Sequence, residues 1–277
     1  SEEIYAKIQE IIKLSLKMKE LWQYRYFIIL SIKTDFSTRF ARSKLGGLWL
    51  LISPLAQVLM YALVLSYALR AKLPGVDSQF AYAIYLISGM MAWALFSDTV
   101  LSCMNCFVKN ANILKKLAFP RMCLPIIATG SSVFSNVVLV AVSIVIAFFC
   151  GANIGFNLIY IPLLATLLLA LGFGAGLLCG VVNVFLRDLG HFVGILLQFG
   201  FWFTPIVYMI NLIPPQYQHL MYFNPLACVI EGYHNVILYN KAPDFSLLIY
   251  PSILAFLLIV LGLFVYKRAK NDMADVL

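Results

Sequence analysis

The sequence predicts an all-α membrane protein with six transmembrane helices, an N-terminal amphipathic interface helix and an external re-entrant helical hairpin between spans five and six. Three observations lead there. Of the 277 residues, 62% are hydrophobic and only 12% are charged, with a mean hydropathy of +0.91; a soluble domain is only about half apolar. Apolar runs of roughly the 20 residues that a membrane helix needs recur between short polar joints. The 20 Lys and Arg residues fall almost entirely on alternate joints.

Residues 4–22 place Ile4, Ile8, Ile11, Ser15, Met18 and Trp22 at alternating spacings of four and three, with Lys7, Glu10, Lys17 and Glu20 elsewhere around the helix. That pattern is an amphipathic helix, suited either to the membrane interface or to packing on a soluble partner. Residues 1–45 carry nine Lys/Arg and five Asp/Glu and hold no uninterrupted apolar core. A secretory signal peptide is therefore not expected, and the first span should act as the insertion signal. Residues 1–45 are read as a cytoplasmic interface segment and 46–277 as one membrane domain.

The candidate spans are 46–69, 80–107, 122–150, 158–185, 189–210 and 247–266. Nine basic residues precede the first span, four lie between Lys109 and Arg121, one is Arg187, and three are Lys267, Arg268 and Lys270. The other side holds only Arg70, Lys72 and Lys241. Basic residues concentrate on cytoplasmic loops, so both termini are expected in the cytoplasm. A seventh crossing within 211–244 would put the C-terminal cluster outside. Pro214, Pro215, Asn224 and Pro225 also interrupt that stretch, which is expected to dip into the membrane and return.

Several function classes drop out. The formal charge of +8 reflects topology rather than a nucleic-acid partner. Cys103-Met-Asn-Cys106 has redox or metal spacing, but with no second cysteine pair and no nearby His the two read as small hydrophobes on a membrane helix. No phosphate loop of the form G-x-x-x-x-G-K followed by Ser or Thr occurs, so the usual nucleotide site is absent from the sequence.

Polar groups inside apolar runs are the remaining signals. Asp98 is costly at membrane depth unless it finds a partner or water, so it is an interhelical contact or part of a path. Arg187 and Asp188, with His191 one turn on, cap the joint between two spans or take part in coupling. Glu231, among Tyr222, Phe223, Tyr233 and His234, lines an exit or anchors the hairpin. In 109–121, Asn112, Ile113, Leu114, Lys115, Lys116 and Leu117 form a short segment with apolar residues for a partner groove and lysines left solvated. Pro120 ends it.

Four motifs, in order along almost the whole chain, resemble the permease subunit of ABC-2-type polysaccharide exporters, which move O-antigen, capsule and teichoic acid chains. They are Arg39-Phe-Ala-Arg42-Ser-Lys44-Leu-Gly46-Gly-Leu-Trp49 through Pro54; Phe119-Pro120-Arg121 with Leu124-Pro125; Arg187-Asp188-Leu189 with His191, Gln198 and Thr204-Pro205-Ile206-Val207-Tyr208; and Asn224-Pro225-Leu226. The resemblance implies that 112–117 is the coupling helix entering the cleft of a separate ATPase, which alone binds ATP and Mg. It implies a homodimer with two such nucleotide-binding subunits in the bacterial inner membrane, moving a lipid-linked polysaccharide, with O-antigen favoured. It also implies that spans one and five line the channel.

Sugar C–H faces stack on aromatic rings, which nominates Phe199, Trp202, Phe203 and Tyr208 with Trp49 and Tyr61 as path residues, against an interfacial aromatic belt. Arg39, Arg42 and Lys44 are candidates for the diphosphate of the lipid carrier, or for anionic membrane lipids. No catalytic residue, metal or nucleic-acid partner is expected. A membrane-embedded lipid-linked sugar transferase would need a carboxylate cluster, and an ion-coupled transporter more intramembrane charges.

Overall fold

The computed structural model describes residues 22–40, 46–49, 52, 56, 60, 81–111, 120–149 and 155–273. The amphipathic pattern at 4–22 lies outside the described residues except for Trp22, as do most of the first span, Tyr61, Arg42, Lys44 and the whole of 112–117. Arg39 is described only through its backbone.

All described elements are helical: α1 (Arg25–Phe40), α2 (Ala81–Lys109), α3 (Cys123–Phe149), α4 (Ile161–Phe185), α5 (Leu189–Phe203), α6 (Pro215–Met221), α7 (Pro225–Ile237) and α8 (Phe245–Ala269). Short 3-10 turns lie at Gly46–Leu48, at Phe156–Tyr160 ahead of α4 and at Ile210–Leu212 ahead of α6. Among the described residues, α2, α3, α4 with its 3-10 lead-in, and α8 are long and apolar enough to cross a bilayer. Helix α1 was not anticipated as a separate element.

The expected fifth span, 189–210, needs correction. Its helix stops at Phe203, after 15 residues, and Thr204 turns to extended backbone at φ −105, ψ 138. The cause is local: Pro205 has no N–H to continue the ladder, and its ring pushes the preceding residue out of the α region. The apolar residues that follow, Ile206, Val207 and Met209, stay buried as irregular chain.

Helix α2 is the hub. Its most apolar stretch is 67% buried, against 22% for the corresponding stretch of α8. It packs along α3 and α4, while α8 packs on the opposite side of α4. Gly172, Gly176 and Gly180 recur every four residues on the α4 face against α2. A Cβ at Gly176 would lie 2.7 Å from Cys103 Cβ, and one at Gly180 would lie 3.0 Å from the Cys103 carbonyl oxygen. On the other side, a Cβ at Gly174 would come within 2.8 Å of the Ile259 backbone nitrogen of α8. Small residues at such spacing let helices approach to backbone contact, the main source of packing energy where lipid removes the hydrophobic drive.

Helix α1 rests on α3 with the end of the Ile32 side chain over Gly130, so that a Cβ there would require Ile32 to shift. Helix α7 packs on α2, α4 and α8. It begins with a side-chain cap, Asn224 Oδ1 accepting from the Leu226 amide at 3.0 Å, and with Pro225 at its first turn, where no amide is required. Asp244 caps α8 in the same way, accepting from the Ser246 amide at 2.9 Å.

Candidate functional site

The chain break after α5 exposes carbonyls that no helix satisfies, and at membrane depth each must find a donor. Two tyrosines of α2 supply them. Tyr82 donates to the Val207 carbonyl at 2.7 Å, and Tyr85 donates to those of Pro205 and Tyr208 at 3.1 and 2.9 Å. His234 of α7 stacks on the Tyr85 ring at 3.8 Å with 21° between the planes. Gly89, one turn beyond Tyr85, leaves just enough room: a Cβ there would meet both His234 Nε2 and Ile206 Cγ2 at 3.1 Å. Asn224 then donates to Thr204 Oγ1 at 2.9 Å, which ties the start of α7 to the end of α5. The result is a dry knot joining α2, the broken chain and α7.

Sequence reasoning missed Tyr82 and Tyr85, and named His234 only as a neighbour of Glu231. Their partners lie 120 or more positions away, and only the need to satisfy the backbone around Pro205 hinted that donors were required.

The path candidates on α5 share one face. Phe199, Trp202 and Phe203 are 60%, 52% and 68% exposed, in line with Phe192, Ile195 and Leu196. The opposite face, with Val193, Leu197 and Gly200, packs on α2, where Trp93 fills the space beside Gly200. Trp49 is also exposed, as are positions 52, 56 and 60 of the first apolar run. Tyr208 behaves differently. It is half-buried, its carbonyl is held by Tyr85, and its hydroxyl reaches Met221 Sδ at 3.8 Å. Glu231 is half-buried on α7, within electrostatic reach of Tyr85, Tyr222 and Tyr239, and apart from the α5 aromatic face.

At the other end of the bundle, Arg187 and Asp188 form an exposed two-residue turn between α4 and α5. Asp188 occupies the α5 cap position without a side-chain cap hydrogen bond. Just inside, Asn183 donates to the Met104 carbonyl and to Asn105 Oδ1, both at 3.4 Å. The segment 112–117 lies outside the described residues, but both its flanks are tethered. Lys109 pairs with Asp35 of α1 at 3.3 Å, and the Arg121 guanidinium donates to the Lys270 carbonyl just past α8. Asp98 accepts from Ser102 one turn along α2 at 3.3 Å.

Cys103 and Cys106 are buried in the apolar cluster between α2, α3, α4 and α8, and Cys103 Sγ lies 3.1 Å from Thr129 Oγ1. Among the described residues no group of three or more His, Cys, Asp or Glu side chains could hold a metal ion.

The chain is 28% identical over 269 residues to an O-antigen export system permease protein, RfbA, of Klebsiella pneumoniae, covering 95% of this chain and all of that protein. It is 22% identical over 260 residues to the RfbA of Myxococcus xanthus, covering 93% and 98%. It is 23% identical over 244 residues to the polysialic acid transport protein KpsM of Escherichia coli, covering 86% and 92%. Residues 26–238 match the model of the ABC-2 type transporter family. Several apolar helices, an irregular segment sealed among them and this match over most of the length lead to one assignment: the chain is a multi-pass membrane protein that belongs to the ABC-2 type transporter family.

Proposed function

We propose that the chain is the transmembrane subunit of an ATP-driven exporter that carries a lipid-linked polysaccharide across the bacterial inner membrane. The observation that carries this reading is full-length similarity to O-antigen export permeases, of which this chain covers 98% or more. O-antigen is favoured over capsule because the three O-antigen export permeases align with 93–95% of this chain and the polysialic acid transport proteins with 86%, and because the two Klebsiella permeases are 27–28% identical against 22–23%. Two copies face each other with two nucleotide-binding subunits, which hold ATP and Mg.

In this reading six spans place both termini in the cytoplasm, and α6 and α7 form a hairpin that enters the external leaflet. Two contacts support the hairpin. The Phe223 carbonyl, at the bend between α6 and α7, accepts from Tyr250, five residues into α8. The hairpin's far end, Asn240, is instead held by Asn157, ahead of α4. The hairpin is thus held at its bend by α8 and at its far end by the lead-in to α4.

The chain's residues make and break no covalent bond. Residues 112–117 seat in the ATPase, and the tethers from Lys109 to α1 and from Arg121 to the end of α8 carry that engagement into the bundle. Phe199, Trp202 and Phe203, with Trp49 and Tyr61, offer ring faces along which a polymer slides, since such stacking is tolerant of sequence. Arg39, Arg42 and Lys44 meet the carrier diphosphate as it arrives from the cytoplasmic leaflet.

The test is Leu114→Asp with Leu117→Asp. The double variant should insert at normal levels but lose co-purification with the ATPase, and export should fall by about ten-fold or more, the effect of losing ~1.4 kcal/mol of coupling. Normal export in this variant refutes the docking assignment. Nucleotide bound by the purified chain alone refutes the division of labour.

A further inference from the structure

Helix α7 is enclosed on nearly every side. From Leu226 to Leu238 every residue is buried except Glu231 and Asn235, which stand four apart and so on a single helix face. Tyr222 and Phe223 lie just before the helix and Tyr239 just after it, and the Glu231 carboxylate is within electrostatic reach of the Tyr222 and Tyr239 hydroxyls. Among the described residues, no hydrogen bond or ion pair engages the side chains of Glu231, Asn235, Tyr222 or Tyr239. The charges nearby do not change this. Asp244 is held by Ser246, and Lys241, whose amide binds the Asn235 carbonyl at 2.8 Å, forms no ion pair with Glu231. A carboxylate that pinned the hairpin would have a donor in contact; the pinning is done instead by Tyr250 and Asn157. A carboxylate facing acyl chains is costly, so this face opens to water or to polar cargo.

The residue types on this face select the ligand. A carboxylate only accepts, whereas a carboxamide and a phenol both donate and accept, and together they match the neighbouring hydroxyls of a sugar. The rings of Tyr222, Tyr239 and Phe223, the last 71% exposed, suit its C–H faces. A metal ion would need more ligands than this face offers, since no group of three or more His, Cys, Asp or Glu gathers among the described residues. We propose that Glu231 and Asn235, flanked by Tyr222 and Tyr239, form an external binding site for sugar residues of the exported glycan as they leave the membrane. This inference rests on the reading of the cargo as a polysaccharide and of the hairpin as external. It gives α7 two tasks. Its buried residues include His234, which locks the helix to α2 through Tyr85, and its open face meets the cargo.

The experiment uses spheroplasts that carry the complete exporter, with Asn235→Cys and Tyr239→Cys made separately so that one reports if the other fails to assemble. A membrane-impermeant thiol reagent added outside should label either variant well above the wild-type background. Oligosaccharide released from the exported polymer by mild acid should slow that labelling along a saturable curve, by about five-fold at about four times its dissociation constant. Adding Glu231→Ala should leave the labelling and abolish the protection, which the loss of a merely structural glutamate would not do. Labelling no faster than wild type in both variants means that a second copy, another protein or lipid covers this face, and overturns the proposal. So does labelling indifferent to the oligosaccharide, protection that survives Glu231→Ala, or slowing by calcium chloride alone, the mark of a cation site. Wild-type spheroplasts that display glycan while the variants show no protection reject the site alone, whereas wild-type spheroplasts that display none reject the proposed function whatever the labelling shows.

Discussion

The two ends of α2 are built on opposite principles. At its start, Tyr82 and Tyr85 are buried, their hydroxyls hold three carbonyls of a non-helical chain, and His234 closes over them. At its finish, Asn105 and Lys109 are exposed, and the lysine makes an ion pair with a separate helix. The first end fixes irregular backbone through the two tyrosine hydroxyls, while His234 contributes by stacking, both its buried ring nitrogens being without a hydrogen-bond partner among the described residues. The second is hydrated, and its contacts are ones that solvent can replace at little cost. Shape is stored at the start of α2, and response at its finish.

Breaking the dry end should have the largest effect. Tyr85→Ala removes the ring beneath His234 and the donor to two buried carbonyls, and should destabilise the protein by about 3–5 kcal/mol, the range for large aromatic truncations; thermal unfolding in detergent measures it. Tyr85→Phe keeps the ring and loses only the hydroxyl, so a smaller cost of about 1–3 kcal/mol is expected. Equal costs for the two would mean that the hydrogen bonds, rather than the stack, hold the knot.

Gly176→Leu, on α4, sharpens the comparison where that helix meets α2. Even a Cβ there lies 2.7 Å from Cys103 Cβ, so the helices must separate, at about 1–3 kcal/mol if the backbone yields. Crosslinking between cysteines introduced along α2 and α4 would report the separation. At the wet end, Lys109→Ala should cost no more than about 1 kcal/mol, with the difference from wild type shrinking as salt rises, because the lysine is 66% exposed. A larger, salt-independent loss would show that the pair is structural.

The smallest effect belongs to the exposed cap of α8. Hydrogen bonds from the Ser246 side chain and amide hold the Asp244 carboxyl below the usual carboxylate range. Its folded-state value is therefore the lower one. The capping contribution is present above the unfolded carboxylate value and disappears as pH falls through the folded one. Hydrogen exchange at the Ser246 amide should quicken only in that acid window.

Much of the spanning pattern was legible because lipid imposes it directly. The runs at 80–107, 122–150 and 247–266 became Ala81–Lys109, Cys123–Phe149 and Phe245–Ala269 with only small shifts at their ends. The early stop of α5 was written in Thr204-Pro205, but apolar residues continue past it and masked the break. The glycines at 172, 176 and 180 also stand in the sequence at a spacing of four, yet nothing there says which helix they approach. The knot itself was beyond reading: Tyr85, Pro205 and His234 meet only when three distant segments fold together. Arg187 and Asp188 fall on the joint where charge placed them, whereas Tyr208, chosen for its ring, is engaged through its carbonyl.

The glycine ladder between α2 and α4 limits how this molecule can move. Helices held by interlocking side chains can ratchet from one set of notches to the next. Here the contact is main chain against main chain, and turning either rod about its axis would wedge a Leu or Val into a gap that admits only hydrogen. A transport stroke must therefore carry both rods together as a single stave, and hinge at their borders.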